Sequence, residues 1–283
     1  MRFNKIAVLG VGLRGGSFAM AMRAHALAGH ITGYGRTAEN IEKALKRGVI
    51  DSIATDPAEA VADADLVLLA TPVGQFVTLA GLISRALKPG AIVTDAGSVK
   101  GALVGELETL MPEGVNFVGA HPIAGSERAG VDNAQEALFK EATCIITRTA
   151  RTDEDAIRVV KELWLELGAQ IREMTPDAHD RVYALVSHLP HAVAYALVNT
   201  VADADPAYLR LSGRGFKDAT RIAMSHPDLW TEICMLNREH MIEAIAGLRL
   251  NLDRIEAHLR AGDSEALRAE FELARSMRVG LGN

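Results

Sequence analysis

One histidine stands in the least ordinary stretch of the chain, Gly119 to Gly130, whose sequence is GAHPIAGSERAG. His121 precedes a proline and lies among glycines and other small residues, where a helix or a full strand is hard to continue. Such a loop can present one imidazole in a fixed position. The alternative is a turn whose histidine caps a backbone group. We expect His121 to take part in catalysis only if the rest of the chain builds a cofactor site beside this histidine.

The residues before His121 predict where this loop lies. Val115 to Gly119 is an apolar run, which would deliver the histidine from the end of a buried strand. In open α/β sheets, ligands bind beyond the carboxyl ends of the strands. The sequence therefore places His121 at the edge of a sheet where a cofactor can bind.

A glycine-rich motif near the start of the chain supplies that cofactor site. The strand predicted at Lys5 to Leu9 runs directly into GVGLRGGS, and a helical pattern follows. Gly10 allows the tight turn, Gly12 lets the backbone approach a pyrophosphate, and Gly15 lets the helix pack closely on the strand. The helix that starts near Leu13 offers unpaired N–H groups to the phosphates. The motif predicts dinucleotide binding.

The second strand, His30 to Tyr34, ends where such folds usually carry an acidic residue for the ribose hydroxyls. Arg36 and Thr37 stand there instead. A guanidinium with a hydroxyl beside it and no carboxylate suits a 2′-phosphate, so the sequence favours NADP over NAD. The alternative is that Arg36 stacks on the adenine and that NAD binds equally well.

Strands and helices alternate up to residue 172, which predicts an α/β fold with a Rossmann-type, doubly wound parallel sheet. Further strands are predicted at Ala64–Ala70, Ala91–Thr94, Thr143–Thr147 and Ala169–Arg172, with helices at Asn40–Gly48, Gly74–Leu87 and Asp153–Leu167 and a polar helix that reaches Phe139. Thr71 and Pro72 follow one of these strands, in a loop expected to cross the cofactor near the nicotinamide ribose.

Only helices are predicted from Thr175 onward. They span Asp177–Asn199, Pro206–Leu211, Gly215–Ala223, Pro227–Ala261 and Ser264–Val279. We therefore predict two domains, a dinucleotide-binding domain at residues 1–173 and an all-helical domain at residues 174–283. Pro190 removes one helix hydrogen bond, which predicts a kink close to the histidines of this region.

Composition narrows the class of protein. With 283 residues and 49% hydrophobic content, the chain can bury a large core. A net charge of −6 without a basic run argues against nucleic acid or a membrane surface as a partner. Two distant cysteines indicate neither a disulfide framework nor a structural metal site. A strand pattern begins within four residues and no sensing-domain pattern follows the helices, so we expect a cytoplasmic protein without an appended regulatory domain.

Five motifs in order give the chain a close resemblance to one family, the prephenate and arogenate dehydrogenases of tyrosine biosynthesis. They are GVGLRGGS, TDAGSVK at Thr94–Lys100, GAHPIAGSERAG, SHLPHAVAYAL at Ser187–Leu197 and GFKDATRIAMSHPDLW at Gly215–Trp230. The resemblance implies a Rossmann domain followed by a helical domain that builds a homodimer. It also implies transfer of a hydride from a cyclohexadiene to NAD(P), with loss of CO2.

The resemblance implies a role for each of several residues. His121 resembles the base that accepts the hydroxyl proton, and Ser98 resembles the hydroxyl that holds the same substrate oxygen beside the cofactor. Arg221 resembles a bidentate carboxylate anchor, although a helix arginine can also be a solvated surface charge. His191 resembles a substrate contact, and Glu127 resembles an acid that gates the pocket, or else it is a surface glutamate.

Four further residues have predicted places near the substrate or in the core. Arg214 and Lys217 would complete, with Arg221, a basic cluster for a dianionic substrate; Arg214 alternatively belongs to the dimer interface. His179 is a candidate for the pocket; the alternative is that, near a helix start, it forms only local hydrogen bonds. His188 is expected to be a hydrogen-bonded core histidine.

Two other functions remain open at this stage. One is a different Rossmann-plus-helical reductase, of the β-hydroxyacid or imine type, which would use a lysine or an aspartate for catalysis. The other is a regulator that binds NAD(P) without turnover. The sequence does not distinguish prephenate from arogenate.

Overall fold

The computed structural model describes residues 2–125, 128 and 130–281. Among them, eight strands form one sheet: β1 (Phe3–Leu9), β2 (Ala28–Tyr34), β3 (Ser52–Ile53), β4 (Leu66–Leu69), β5 (Ile92–Asp95), β6 (Asn116–Pro122), β7 (Thr143–Thr147) and β8 (Gln170–Met174). Their order is β3-β2-β1-β4-β5-β6-β7-β8, and all neighbours are parallel except β6 and β7. The order β3-β2-β1-β4-β5-β6 is that of dinucleotide-binding sheets, which confirms the predicted fold class.

Twelve α-helices lie within the described residues. They are α1 (Leu13–Ala24), α2 (Ala38–Lys46), α3 (Pro57–Val61), α4 (Phe76–Ile83), α5 (Val104–Leu110), α6 (Glu154–Glu166), α7 (Pro176–Tyr183), α8 (Leu189–Ala204), α9 (Arg214–Thr220), α10 (Pro227–Leu236), α11 (Arg238–Ala261) and α12 (Ser264–Gly280). Five short 3₁₀ turns accompany them, at Val73–Gln75, Ser84–Ala86, Val131–Asn133, Pro206–Leu211 and Arg221–Met224.

The alternation of side chains along the strands builds a core on each face of the sheet. Ile6 and Val8 of β1 belong to the core on one face, which also contains Trp164. Ala7 and Leu9 belong to the other. Both faces of the central strands are therefore covered, as expected for a parallel sheet between two layers of helices.

The polar helix predicted up to Phe139 is wrong. Its place is taken by the 3₁₀ turn Val131–Asn133 and further turns. Side chains from α1 and α2 bind the backbone there: Asn40 Oδ1 accepts from Val131 N at 3.0 Å, and Ser17 Oγ accepts from Gln135 N at 2.9 Å. These tertiary hydrogen bonds replace the local ones that a helix would make.

The long helix predicted at Asp177–Asn199 is divided at a π turn, Ala184–His188. Pro190 is the second residue of α8, and the backbone stays helical from Tyr183 through His188 into Leu189. The disturbance expected at the proline is thus a wider turn in an otherwise continuous helical backbone. The helix predicted at Pro227–Ala261 is likewise divided at Asn237, whose side chain binds the Asp180 carbonyl at 2.8 Å.

By its internal contacts the chain divides into Met1–Asn237 and Arg238–Asn283. The second unit consists of α11 and α12, which pack on each other, and Arg254 Nε donates to Glu270 Oε1 at 3.0 Å between them. The division predicted after residue 173 stays a prediction. Within the described residues, none of the helices combines the length and the apolar character that a membrane crossing requires.

Candidate active site

The glycine-rich loop after β1 lies against the loop after β4, and two of its glycines leave no room for a side chain. Gly10 has a φ of +103°, and a Cβ on it would lie 2.6 Å from the carbonyl carbon of Ala70 and from Thr71 N. A Cβ on Gly15 would lie 2.1 Å from the carbonyl oxygen of Gly10. These approaches hold the turn from β1 into α1 close to the sheet.

Gly12 is the N-cap of α1 and has a different setting, since a Cβ added there would meet no described atom within 4 Å. No side chain in the described part of the chain caps α1, and its first turn, which starts at Leu13, carries no acid. Unpaired N–H groups at a helix start suit an anionic pyrophosphate. Thr71 and Pro72 are half-buried in the neighbouring loop. These residues fit a dinucleotide.

The end of β2 carries a cation and no carboxylate. Arg36 and Thr37 follow the strand and are both exposed. The next acid along the chain, Glu39, has its Oε1 3.0 Å from Lys43 Nζ. This composition suits a ribose phosphate at least as well as ribose hydroxyls.

The loop after β5 folds around a buried ion pair. Lys100 Nζ donates to Asp95 Oδ2 at 2.6 Å and to the Gly97 carbonyl at 2.8 Å, and both charged side chains are almost inaccessible. Asp95 also accepts from Gly97 N at 2.8 Å and from Ala120 N of β6 at 3.0 Å. A buried pair is tolerated where further hydrogen bonds satisfy both partners. The pair fixes the loop that carries half-buried Ser98 and ties it to β6.

His121, near the end of β6, starts a buried chain of hydrogen bonds that continues into α7. Its Nδ1 lies 2.8 Å from His179 Nε2, and His179 Nδ1 lies 2.7 Å from Asp180 Oδ1. Asp180 also accepts from the backbone nitrogens of Lys100 at 2.8 Å and Gly101 at 2.7 Å. The two histidines and Asp180 are at most 4% exposed. One network therefore joins β6, α7 and the loop after β5.

Asp180 sets the direction of the proton donors along this chain. A carboxylate only accepts, so His179 Nδ1 carries the proton between the two residues. The Nε2 of a neutral His179 is then unprotonated and accepts from His121 Nδ1. A neutral His121 consequently has an unprotonated Nε2, which is its basic atom.

Burial keeps this pair of histidines neutral. It lowers the pKa of His121 well below the usual range, and the nearby Arg14 guanidinium lowers it further. Burial also lowers the pKa of His179, although the hydrogen bond to Asp180 acts in the opposite direction. The ring of Tyr183 packs on both imidazoles, with centroids 5.0 Å and 4.6 Å away. A neutral imidazole at this position can accept a proton near pH 7.

Two more histidines lie on the π turn and at the start of α8. Burial lowers the pKa of His188 to about 4, and its Nδ1 accepts from Asn237 Nδ2 at 3.2 Å. Within the described residues its Nε2 has no hydrogen-bond partner of normal geometry, although an interaction with the Ser98 backbone opposes the effect of burial on the pKa. His191 is half-buried; its Nδ1 donates to the Ser187 carbonyl at 2.9 Å, and its ring stacks on Trp230 with centroids 3.4 Å apart.

The predicted basic cluster lies on α9 and the 3₁₀ turn that follows it. Arg214, Lys217 and Arg221 are spaced by three and four residues, which puts them on one helix face, and all three are exposed. The turn that begins with Arg221 packs against α8. Burial lowers the pKa of His191, and the charge of Arg221 contributes further. Arg221 and His191 are therefore neighbours.

The structure adds residues that the sequence did not single out and gives His179 a second role. Both nitrogens of His179 are engaged inside the protein, where it supports His121, and its predicted contact with substrate stays a prediction. Glu127 lies outside the described residues. Asp180 and Arg14 were missed; the adjacent His-Asp pair was visible in PDAHD, but its target, 58 residues earlier than His179, was not.

Comparisons with known proteins cover nearly the whole chain. Residues 18–173 match the prephenate dehydrogenase nucleotide-binding domain, and residues 175–273 match the prephenate dehydrogenase dimerization domain. The prephenate dehydrogenase of Bacillus subtilis (strain 168) is 35% identical over 98% of this chain and 76% of its own, and the cyclohexadienyl dehydrogenase of Zymomonas mobilis is 32% identical over 99% and 96%. The crystal structure of prephenate dehydrogenase from A. aeolicus, in complex with hydroxyphenyl propionate and NAD+, has a TM-score of 0.94 and 36% identity over 99% of both chains. This chain belongs to the prephenate dehydrogenase family.

Proposed function

We propose that this protein is an NAD(P)-dependent dehydrogenase that oxidatively decarboxylates prephenate, arogenate or both, and so serves tyrosine biosynthesis. The observation that carries the proposal is the buried chain from His121 through His179 to Asp180, which leaves His121 Nε2 as a base at the carboxyl edge of the sheet. The names of the relatives, prephenate and cyclohexadienyl dehydrogenases, support the same reaction.

The substrate in this reaction is a cyclohexadiene with a hydroxyl on C4 and a carboxylate on the ring. A bound nicotinamide would supply the hydride acceptor for C4. The hydroxyl gives its proton to a base, and the bond between the ring and its carboxylate then breaks, so that CO2 leaves and the electron pair of that bond makes the ring aromatic. The proton returns to the 4-oxygen, which becomes the phenol hydroxyl. The protein must therefore supply a base, an aligned oxygen and cations for the carboxylates.

His121 and Ser98 fit the first two requirements. His121 Nε2 takes the proton of the 4-hydroxyl, and the charge that this creates is shared with His179 through the hydrogen bond at Nδ1. Ser98 binds the same oxygen and also borders the cofactor. Its loop is fixed by the Asp95–Lys100 pair, so the hydroxyl needs little reorganisation when substrate binds.

The third requirement is met by the cations near α8. Arg221 binds a substrate carboxylate with its planar guanidinium, and His191, held by its stacking on Trp230, contacts the substrate beside it. Lys217 and Arg214 extend the positive face for a dianion. Glu127 lies outside the described residues, and its role as a gate of the pocket in this proposal rests on the family resemblance alone.

NADP is the favoured cofactor in this proposal, with NAD as the alternative. Arg36 and Thr37 support NADP because a cation and a hydroxyl follow β2 where such folds usually carry a carboxylate. The ratio of kcat/KM values for NADP and NAD tests this choice. A preference for NAD above about tenfold, or 1.4 kcal/mol, contradicts it. Arg36→Ala should weaken NADP more than NAD.

The function itself is tested by absorbance at 340 nm with each of prephenate and arogenate and each of NAD and NADP. We expect NAD(P)H formation matched by CO2 release in at least one of the four combinations. Cofactor binding without turnover in all four would instead favour the regulator. Turnover of a β-hydroxyacid or reduction of an imine, but no cyclohexadiene oxidation, would favour the other class of reductase.

The same proposal includes the roles of the two domains, the homodimer, the cellular location and the partners. Residues 1–173 bind the dinucleotide, and residues 174–283 bind substrate and form a homodimer, as the match to the family's dimerization domain supports. The protein is cytoplasmic and has neither nucleic acid nor a membrane as partner, which its net charge of −6 supports. Sedimentation and cell fractionation test these statements.

A further inference from the structure

Arg14 is a charged residue inside the glycine motif, and dinucleotide binding does not require an arginine at its position. It lies between Gly12 and Gly15, in the first turn of α1. The motif needs glycine at three positions and leaves this one open. The side chain of Arg14 nevertheless reaches two other loops, and both belong to the proposed catalytic centre.

The guanidinium donates hydrogen bonds to three groups in these two loops. Its Nη1 donates to the Ala96 carbonyl at 2.9 Å and to Ser98 Oγ at 3.2 Å. Its Nε donates to the Ala124 carbonyl at 3.1 Å, three residues after His121. A planar guanidinium fixes these directions relative to one another, which an ammonium group cannot do. One side chain therefore joins the serine loop to the histidine loop.

Arg14 also determines which way the Ser98 hydroxyl points. A guanidinium only donates, so Ser98 Oγ accepts from it, and the hydroxyl proton is left for a different acceptor. In the proposed reaction this acceptor is the 4-oxygen of the substrate. The hydrogen bond from Ser98 grows stronger as His121 removes the proton and negative charge develops on that oxygen.

The charge of Arg14 lies beside the base. Burial is the largest cause of the low pKa of His121, and Arg14 is the next. Burial lowers the pKa of Arg14 too, with Asp95 opposing, but a guanidinium remains charged near neutrality. Other ionisable groups near His121 lie on β7, on α7, on the π turn and in the loop after β5: Cys144, His179, Asp180, Tyr183, His188 and Lys100.

We propose that Arg14 is a positioning residue for the reaction, which orients the Ser98 hydroxyl and holds the serine loop against the histidine loop while hydride and proton leave the substrate. The inference rests on the proposed function. It assigns Arg14 to the chemical step, although the residue lies in the cofactor-binding motif. Arg14 acts through Ser98 and His121 and leaves cofactor binding unchanged.

The experiment compares Arg14→Met, which removes the charge, with Arg14→Lys, which keeps it without the planar donors. Arg23→Met, an exposed arginine of the same helix that pairs with Asp51, is the matched control. We expect Arg14→Met to lower kcat at least about tenfold while the cofactor KM stays within about threefold. Loss of the nearby cation raises the pKa of His121, so the acid limb of kcat/KM moves to higher pH. Arg14→Lys should keep that limb in place and recover only part of kcat.

Coupling to Ser98 separates positioning from a general structural role. In a Ser98→Ala background, Arg14→Met should lower kcat by a clearly smaller factor than in the wild-type background, because one of the two groups that it positions is already absent. Equal losses in both backgrounds with an unmoved acid limb would overturn the inference, as would a raised cofactor KM with normal kcat. If thermal unfolding shows that Arg14→Met does not fold, the same cycle with Arg14→Lys decides. A wild-type protein inactive in all four assays overturns the proposed function, whereas an active one with unimpaired Arg14 variants overturns this inference alone.

Discussion

Asp180→Asn should reduce turnover strongly while the protein stays folded, because Asp180 sets the tautomer of His121. Its Oδ1 accepts from His179 Nδ1 and Lys100 N, and its Oδ2 accepts from Gly101 N. Asparagine keeps one acceptor oxygen, so its NH2 group must face at least one of these donors. A hydrogen bond to a charged group contributes about 1.5–3 kcal/mol, and each 1.36 kcal/mol is tenfold in rate. We therefore expect kcat to fall about 10- to 150-fold.

The same substitution leaves one buried donor without a partner, which costs about 1–3 kcal/mol in the free energy of unfolding. Steady-state kinetics and urea unfolding should be measured together for that reason. His179→Gln interrupts the chain but preserves both backbone bonds of Asp180, so it should reproduce the kinetic defect with a smaller loss of stability. The matched control is Asp177→Asn, an exposed position on α7 that pairs with Arg181 at 3.3 Å. Turnover within about twofold of wild type in both Asp180→Asn and His179→Gln would refute the reasoning.

Three further predictions address the base, the anchor and the buried histidine. His121→Asn should keep cofactor affinity, measured by NAD(P)H fluorescence, and lose about 10²–10⁴-fold in kcat; near-normal turnover removes His121 from the role of base. Arg221→Ala should raise the substrate KM about 10- to 100-fold, with the exposed Arg210→Ala as control, and unchanged saturation curves contradict the anchor. Because the pKa of His188 is depressed to about 4 from 6.5, its contribution to stability is present above pH 6.5 and is lost as pH falls toward 4. The loss is of order 3 kcal/mol in the free energy of unfolding, which urea unfolding measures as pH falls from 6.5 toward 4. His188→Gln should reduce this dependence of stability on pH, and an unchanged dependence contradicts the prediction.

The sheet was predictable because its signals are local. Apolar runs such as Lys5–Leu9 mark buried parallel strands wherever they occur, and a glycine motif between strand and helix has one geometry. The segment before Phe139 was not predictable from its own residues, since Asn40 and Ser17 supply its hydrogen bonds from far along the chain. Local propensity gives no information about such distant partners.

The same limit applies to the site. His121 and Ser98 could be singled out because each lies in a loop of unusual composition after a predicted strand. Asp180 could not, because its importance comes from a carboxylate that reaches two backbone nitrogens and one imidazole brought together by the fold. Arg14 was hidden for the opposite reason, since it lies in a motif already explained by dinucleotide binding. A residue inside a recognised motif can have a task that the motif does not describe.

Stability and reactivity are joined in this site by Asp180. Its carboxylate binds the backbone of Lys100 and Gly101, which attaches α7 to the loop after β5. Through His179 the same carboxylate fixes the proton on His121 Nδ1 and leaves Nε2 basic. Any change that moves α7 away from that loop therefore disturbs the tautomer of the base as it weakens the packing. Because a shift of a few tenths of an ångström weakens a hydrogen bond long before a buried helix detaches, variants that loosen α7 should lose turnover before they lose structure.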